Sequence, residues 1–397
     1  MAQPVRKQIQ ETHPDSIKGT PIYTLLVDGN SLLFSCFADD KINGEGVHYG
    51  AVYQFLLQLR ILMQKKDFDY VYVFFDNEYS GWLRWELYRP YKQNRDKNYE
   101  DYALSEYMKA CNARIRSMQE YFFNKNKKEE KPNKKTNKWE EFIDANFDRE
   151  RDILCRYFNE LFIRWYIDEI VEGDDLIAYY CLNKKPEEKI VIVSSDMDLS
   201  QLLAEDICIY NQQKKKFITN KNFSEYFGYY YENTLIKKIF CGDVSDNIGN
   251  IKGLSEDGLM KLMPEMKTKK VTVEDVKNRA SELINERKNE KKKPLKVHEN
   301  IIEGVSNKNY DGDFYEINDK IINLKHPLLT DDAKNEMDGM MYAPQDPEGR
   351  SFGNLYRMME EDGIVEFNGD TKFASFFNLF KRLSEKEIKR YNEEYNS

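Results

Sequence analysis

The sequence predicts an α/β fold, a mainly parallel twisted sheet flanked by helices, and three observations carry that expectation. Short apolar runs of strand-forming residues alternate with longer helical stretches, the pattern of strands joined by crossover helices. Four of these strand ends lead into acidic residues. At 397 residues, 41% apolar and 32% charged, the chain can bury a large core, and length suggests two or three domains.

Residues 22–27, IYTLLV, form the first strand and end at Asp28. A helix follows at about 48–65. Residues 70–75, YVYVFF, form a second strand ending at Asp76. From about 100 to 166 the pattern is helical, broken by a lysine-rich stretch around Pro132. The segment EIVEGDDLIAYYCL reads as a short strand turning into a helix, with Glu172, Asp174 and Asp175 at the turn. Residues 189–193 give another strand, leading to Asp196 and Asp198, and residues 206–210 a further one. If the chain stays extended there, Asp196 and Asp198 share a side. Beyond about residue 212 the strand signal fades and helices dominate. The segment 264–300, poor in large apolar groups, reads as a partly mobile insertion. There is no internal repeat.

Four strand ends carrying acid in one sheet point to a ligand site, because ligands of open α/β sheets bind at the carboxyl edge. Single strand-end aspartates are ordinary helix caps, but four together are not. Asp243 and Asp246, three apart, add a fifth acidic pair. Crowded carboxylates raise one another's pKa unless cations settle them. Oxygen-only donors suit Mg²⁺ or Mn²⁺, and this many acids suggest two ions, roughly 4 Å apart. Four scattered histidines and six cysteines without a CxxC pair argue against zinc, a histidine relay and a disulfide frame. Phosphoryl chemistry is the natural use of such a site.

The net charge of −9 disfavours a nucleic-acid partner only in sum, since lysines concentrate at 124–138 and 286–296. Both runs also suit solvated loops. Residues 77–97, NEYSGWLRWELYRPYKQNRDK, interleave Arg84, Arg89, Lys92, Arg95 and Lys97 with Trp82, Trp85, Tyr88 and Tyr91. Cations meet phosphates and aromatic faces stack on unpaired bases, although a surface helix with its aromatics in the core has the same composition.

The motifs LLVDGNSLLF, FFDNEYSGWLRWELYRPYKQNRDK, VEGDDLIAYY, IVIVSSDMDLSQLL and IFCGDVSDNIGNIKGL resemble, in order, those of the 5′-to-3′ exonuclease and flap endonuclease family. The nearest likeness is to its ribonuclease H branch in T-even-type phages. The resemblance covers about residues 24–260. It implies a PIN-like 5′-nuclease fold with a helical arch at about 88–150, and a C-terminal helical region containing a helix-three-turn-helix. It further implies that Asp28, Asp76, Glu172 and Asp174 hold a first Mg²⁺ (or Mn²⁺). Asp196 would lie between the sites, Asp198, Asp243 and Asp246 would hold the second ion, and Asp175 would support bound waters. Lys92 and Arg84 would meet the scissile phosphate, and Tyr91 would stack on a nucleotide beside the cut. Arg95, Gly249, Lys252 and Gly253 would contact DNA, the hairpin gripping one duplex strand through backbone amides and often a K⁺ ion.

Three departures from the family pattern stand out. Ser255 occupies a position where many relatives read Gly-Ile-Gly, which bears on the K⁺ site. The distance from Arg95 to Glu172 is long, and 264–310 looks inserted. The expected organisation is an extension over 1–20, a nuclease core over 21–212 and a helical DNA-binding region over 213–397. The implied function is a two-metal 5′ nuclease of RNA primers and 5′ flaps in lagging-strand replication, with branched DNA and RNA–DNA hybrids as partners. Its rivals are a non-cleaving branched-DNA-binding module and a hydrolase of small phosphoesters. A single-stranded DNA-binding protein or other replisome component is the candidate partner of the C-terminal amphipathic helix, whose ordinary role is packing. A monomer is expected, with no membrane span or signal peptide. The expected compartment is the cytoplasm, the host's if the chain is phage-encoded.

Overall fold

The structure, a computed structural model, describes residues 21–94, 99, 138–367 and 369–395. Six strands form one sheet in the order β3-β2-β1-β4-β5-β6. The strands are β1 (Ile22–Asp28), β2 (Tyr70–Phe75), β3 (Arg164–Ile167), β4 (Glu188–Val193), β5 (Ile207–Asn211) and β6 (Lys216–Ile218). The first five run parallel, and β6 closes one edge antiparallel to β5. The chain builds outward from β1 to β3, then returns to lay β4 on the other side of β1. Strand order therefore reverses between β1 and β4, and a crevice opens there at their carboxyl ends.

Side-chain alternation splits the core into two layers. Leu25, Val27, Val71, Val73 and Phe75 face α1 (Gly29–Cys36), α2 (Gly50–Lys65) and α4 (Lys138–Glu160). Leu26, Tyr72, Phe74, Ile190 and Ile192 face α5 (Gly173–Asn183). Between β2 and α4 lies α3 (Trp82–Leu87). A third core gathers α6 (Thr234–Cys241), α7 (Glu256–Leu262), α8 (Val273–Asn289), α9 (Lys296–Glu303) and α10 (Phe314–Ile322) around Phe240, Leu259 and Ile301.

Four features of the structure depart from the sequence expectation or add to it. The third strand is residues 164–167, not the stretch before Glu172. Arg164 sits in it, buried and paired with Glu387 of the C-terminal helix α13 (Asp370–Tyr395). A charge whose partner is 223 residues away hides a strand from local reading. β6 is a strand that the fading signal after residue 212 did not announce. Residues 264–300, expected as a partly mobile insertion, are largely helical and packed against the third core. Thr272 and Asp275 form a reciprocal capping box at the start of α8, and Val276, Ala280 and Ile284 bury one stripe of it. Finally, the C-terminal helices return to the sheet. α11 (Asp331–Met340) covers the second layer, while α12 (Phe352–Glu361) and α13 close the first with Leu355, Phe377 and Phe380.

The packing role expected of the C-terminal aromatics is thus what α13 does. Cys36, Cys155, Cys181 and Cys208 are buried free thiols. Among the described residues, no helix is long and apolar enough to cross a membrane. The lysine run at 124–137, Arg95 and most of the expected arch lie outside the described residues.

Candidate active site

The crevice at the β1–β4 switch is a cavity of about 400 Å³ lined by Asp28, Asp76, Glu172, Asp174, Asp196, Asp198 and Asp246, with Arg84, Tyr91 and Lys92. Local structure delivers each acid. Asp28 ends β1 and caps α1, accepting from the Ser31 N–H at 2.9 Å and the Ser194 hydroxyl at 2.6 Å. Asp76 follows β2, where its N–H donates to Asn30 Oδ1 and its Oδ1 accepts from the Gly173 N–H at 2.7 Å. Glu172 and Asp174 sit at the first turn of α5. After β4 the backbone does not stay extended. It turns so that the Asp198 N–H donates to Asp196 Oδ1 and Asp198 opens a 3₁₀ turn. Both carboxylates still line the cavity.

Asp175 and Asp243, expected among the metal residues, are not among the residues lining the cavity, and each rests on a cation. Asp175, 1% exposed, receives both terminal nitrogens of Arg84 and the Leu328 N–H. Arg84 also meets Glu172 at 2.7 Å and donates Nε to the Ile321 carbonyl. Its guanidinium is therefore committed to orienting acids. That modifies the expectation that Arg84 meets a phosphate. Lys92, held at φ +50 with its N–H on the Asp246 carbonyl, aims its ammonium at Glu172. Neighbouring carboxylates hold both cations firmly charged despite burial.

Tyr91 corrects a second expectation. It is 2% exposed and its hydroxyl donates to Glu172 at 3.0 Å, so the ring offers no face to a base. Trp85 and Tyr88 are buried too, Tyr88 stacking on Tyr310. For these aromatics, packing is the role that the structure shows.

The expected amide grip of the hairpin also changes. The Gly249 N–H donates to the Tyr310 hydroxyl at 2.9 Å, the Asn250 N–H to Asn307 Oδ1 at 3.0 Å and the Lys252 N–H to the Val305 carbonyl at 2.9 Å. These amides are taken by the segment after α9, while Lys252 and Gly253 remain exposed. Ser255 caps α7, its hydroxyl accepting from the Gly258 N–H at 3.1 Å, so the oxygen at the departure from the family's K⁺ pattern is engaged.

One functional candidate escaped the sequence reading. Lys238, in the last turn of α6, bridges Asp198 and Asp243, at 2.5 Å from Asp243. Its only local signal is a lysine four residues before Gly242-Asp243.

Among the described residues, the charges around the cavity are mostly negative. Nine carboxylates (Asp28, Asp76, Glu172, Asp174, Asp175, Asp196, Asp198, Asp243, Asp246) share Arg84, Lys92 and Lys238 as their ion-pair partners among the described residues. Burial, with Asp76 and Asp196 nearby, pushes Asp28 up to about 7. Burial and the same neighbours hold Asp174 well above the carboxylate range. Asp198 rises to about 7 through burial and Asp196, even with Lys238 beside it. Asp243, closer to solvent and bonded to Lys238 and Ser245, falls to about 2. One lysine thus fails to offset burial at one partner and succeeds at the other.

An excess of carboxylate oxygens without histidine or thiolate fits hard divalent cations. Among the described residues, no three acidic, histidine or cysteine side chains close tightly enough to clasp an ion alone. An ion here would keep several waters, the habit of Mg²⁺.

The family model of the 5′-3′ exonuclease N-terminal, resolvase-like domain matches residues 23–228, more than half of the chain. The 5′-3′ exonuclease of Mycoplasmopsis pulmonis is 34% identical over 98 residues, 24% of this chain and 33% of that protein. DNA polymerase I of Bacillus subtilis is 26% identical over 261 residues, 64% of this chain and 24% of that protein. The matched stretch therefore spans a third or less of these curated relatives. In fold, the chain is similar to the bacteriophage T5 D15 flap endonuclease solved with DNA and metal ions. The TM-score is 0.53 at 15% identity, covering 92% of this chain and 99% of that one. The T5 5′-exonuclease solved with zinc gives 0.52 at 16%, with the same coverage. The architecture is the mostly parallel, helix-flanked 5′-nuclease fold.

Proposed function

The chain belongs to the 5′-3′ exonuclease family, and from that premise we propose that it is a metal-dependent 5′ nuclease. It hydrolyses phosphodiesters of 5′ flaps and RNA primers, in RNA–DNA hybrids as well as DNA. The observation that supports this most directly is the convergence of seven carboxylates and Lys92 in one cavity at the β1–β4 switch. Asp28, Asp76, Glu172 and Asp174 would line the site of one Mg²⁺ and Asp198, Asp243 and Asp246 that of a second, with Asp196 between them and each ion keeping several waters. When bound, such ions supply an acidified water and neutralise phosphate charge.

The remaining work belongs to this chain's own side chains. Ser31 and Ser194 fix the Asp28 carboxylate, and Asn30 and Gly173 fix Asp76. Tyr91 and Arg84 orient Glu172. Lys92 faces the cavity and is the cation best disposed to meet a substrate phosphate, exchanging Glu172 for it. Exposed Lys252 and Lys288 are further cations available to duplex phosphates.

A duplex with a 5′ flap, labelled at its 5′ end, tests the proposal directly. Mg²⁺-dependent release of a short 5′ fragment, abolished by EDTA and by Asp28→Asn, is the expected result. Tight binding without cleavage in Mg²⁺ or Mn²⁺ would make the protein a branched-DNA-binding module instead.

A further inference from the structure

Lys238 reaches its place through two backbone devices. Gly242 ends α6 at φ +67, and a Cβ there would lie 2.6 Å from the Ile248 carbonyl oxygen. Only glycine lets residues 243–248 fold back onto the helix end, where Asp243 and Ile248 pair as an isolated bridge. That return sets Asp243 beside Lys238. Asp198 comes from the opposite side, out of the 3₁₀ turn after β4, and receives the same ammonium. The lysine side chain is 22% exposed and the two carboxylate side chains 18% and 15%, so the triad is mostly shielded from water.

Resting on the two-ion reading above, we propose that Lys238 is the built-in cation of the Asp198–Asp243 pair. A second divalent ion enters only by displacing its ammonium. The reasoning is electrostatic. A divalent ion on these two carboxylates would share a small, poorly hydrated space with a third positive charge, and like charges a few ångströms apart repel strongly there. The flexible lysine stem can swing aside, whereas the turn-bound carboxylates cannot. The second site is therefore the weaker one. Its filling releases an ammonium at the edge of the cavity, free to meet an incoming phosphate.

Mn²⁺ binding, followed by electron paramagnetic resonance on the full chain, tests the exchange. The wild type should bind one ion tightly and a second weakly. Lys238→Met should tighten the second at least tenfold and leave the first unchanged. A second constant that stays equal or weakens would overturn the proposal, because the lysine would then organise the carboxylates instead of competing for them. A second measurement needs no variant. Amine-reactive labelling of the wild type, with neighbouring Lys237 as internal reference, should rise at Lys238 when Mg²⁺ is added, and unchanged labelling at saturating Mg²⁺ sinks the exchange. A wild type that binds no Mn²⁺ removes the metal-dependent reading itself. One that binds Mn²⁺ and cleaves, with an unaltered isotherm in the variant, removes only the role of Lys238.

Discussion

Replacing Asp28 with asparagine deletes one charge while keeping the side chain's shape, and the metal-free protein should gain stability from it. Asn caps helices about as well as Asp, so the bond from the Ser31 N–H survives. The folded-state pKa of Asp28, near 7, lies above the 3.8 of an ordinary Asp. Between those values the folded state keeps a proton that the unfolded chain has released. Stability therefore falls as pH rises from about 4 to 7. The gap is about three units, and at about 1.4 kcal/mol each it costs the wild type about 4 kcal/mol at pH 8. With roughly 2 cal/mol/K of unfolding entropy per residue over 397 residues, that is a Tm difference of roughly 5 °C. Scanning calorimetry in EDTA should find Asp28→Asn the more stable protein at pH 8, with the advantage shrinking toward pH 4. Saturating Mg²⁺ should narrow or reverse the ranking, since only the wild type keeps the full set of carboxylates. A lower Tm for the variant in EDTA at pH 8 would refute the reasoning.

Arg84→Met strands the Asp175 carboxylate in the interior and should destabilise by about 3–5 kcal/mol, read from urea unfolding. Adding Asp175→Leu should recover part of the loss, and no recovery would mean that Arg84 acts chiefly through its bond to Ile321. Lys92→Ala should lower turnover on flapped DNA far more than affinity, because its ammonium must exchange Glu172 for phosphate. Equal losses in both would make it a positioning contact. Gly242→Ala meets both a positive φ and the Ile248 carbonyl, so it should cost about 1–3 kcal/mol and weaken Mn²⁺ binding at the second site first. A fully stable variant with unchanged binding would show that the 243–248 return is not needed there.

How much of this was legible in the sequence varies with the range of the interactions. The four parallel strands beginning at 22, 70, 188 and 207 announce themselves as apolar runs, and the acids that follow the first three lie close by in sequence. Strand β3 was hidden because the partner of Arg164 lies at Glu387. Helix α8 was misread because a stripe of Val276, Ala280 and Ile284 carries little bulk, and Ala does not register as core. The residue types of the cavity were readable; their pairing was not. Nothing local says that Arg84 is locked on Asp175, that Tyr91 turns its ring inward or that Lys238 holds two acids together. Those facts depend on which helix ends meet across the crevice.

The hydrogen bonds from Gly249, Asn250 and Lys252 to residues 305–310 bear on how far this chain could be pared down. A segment that looks inserted would be the first choice for deletion in building a smaller protein. Here its removal would strip three amides of their acceptors at a turn beside the crevice, and take away the Tyr310 ring that stacks on Tyr88. The segment after α9 is scaffolding that the turn requires. A minimal version would have to begin by redesigning that turn.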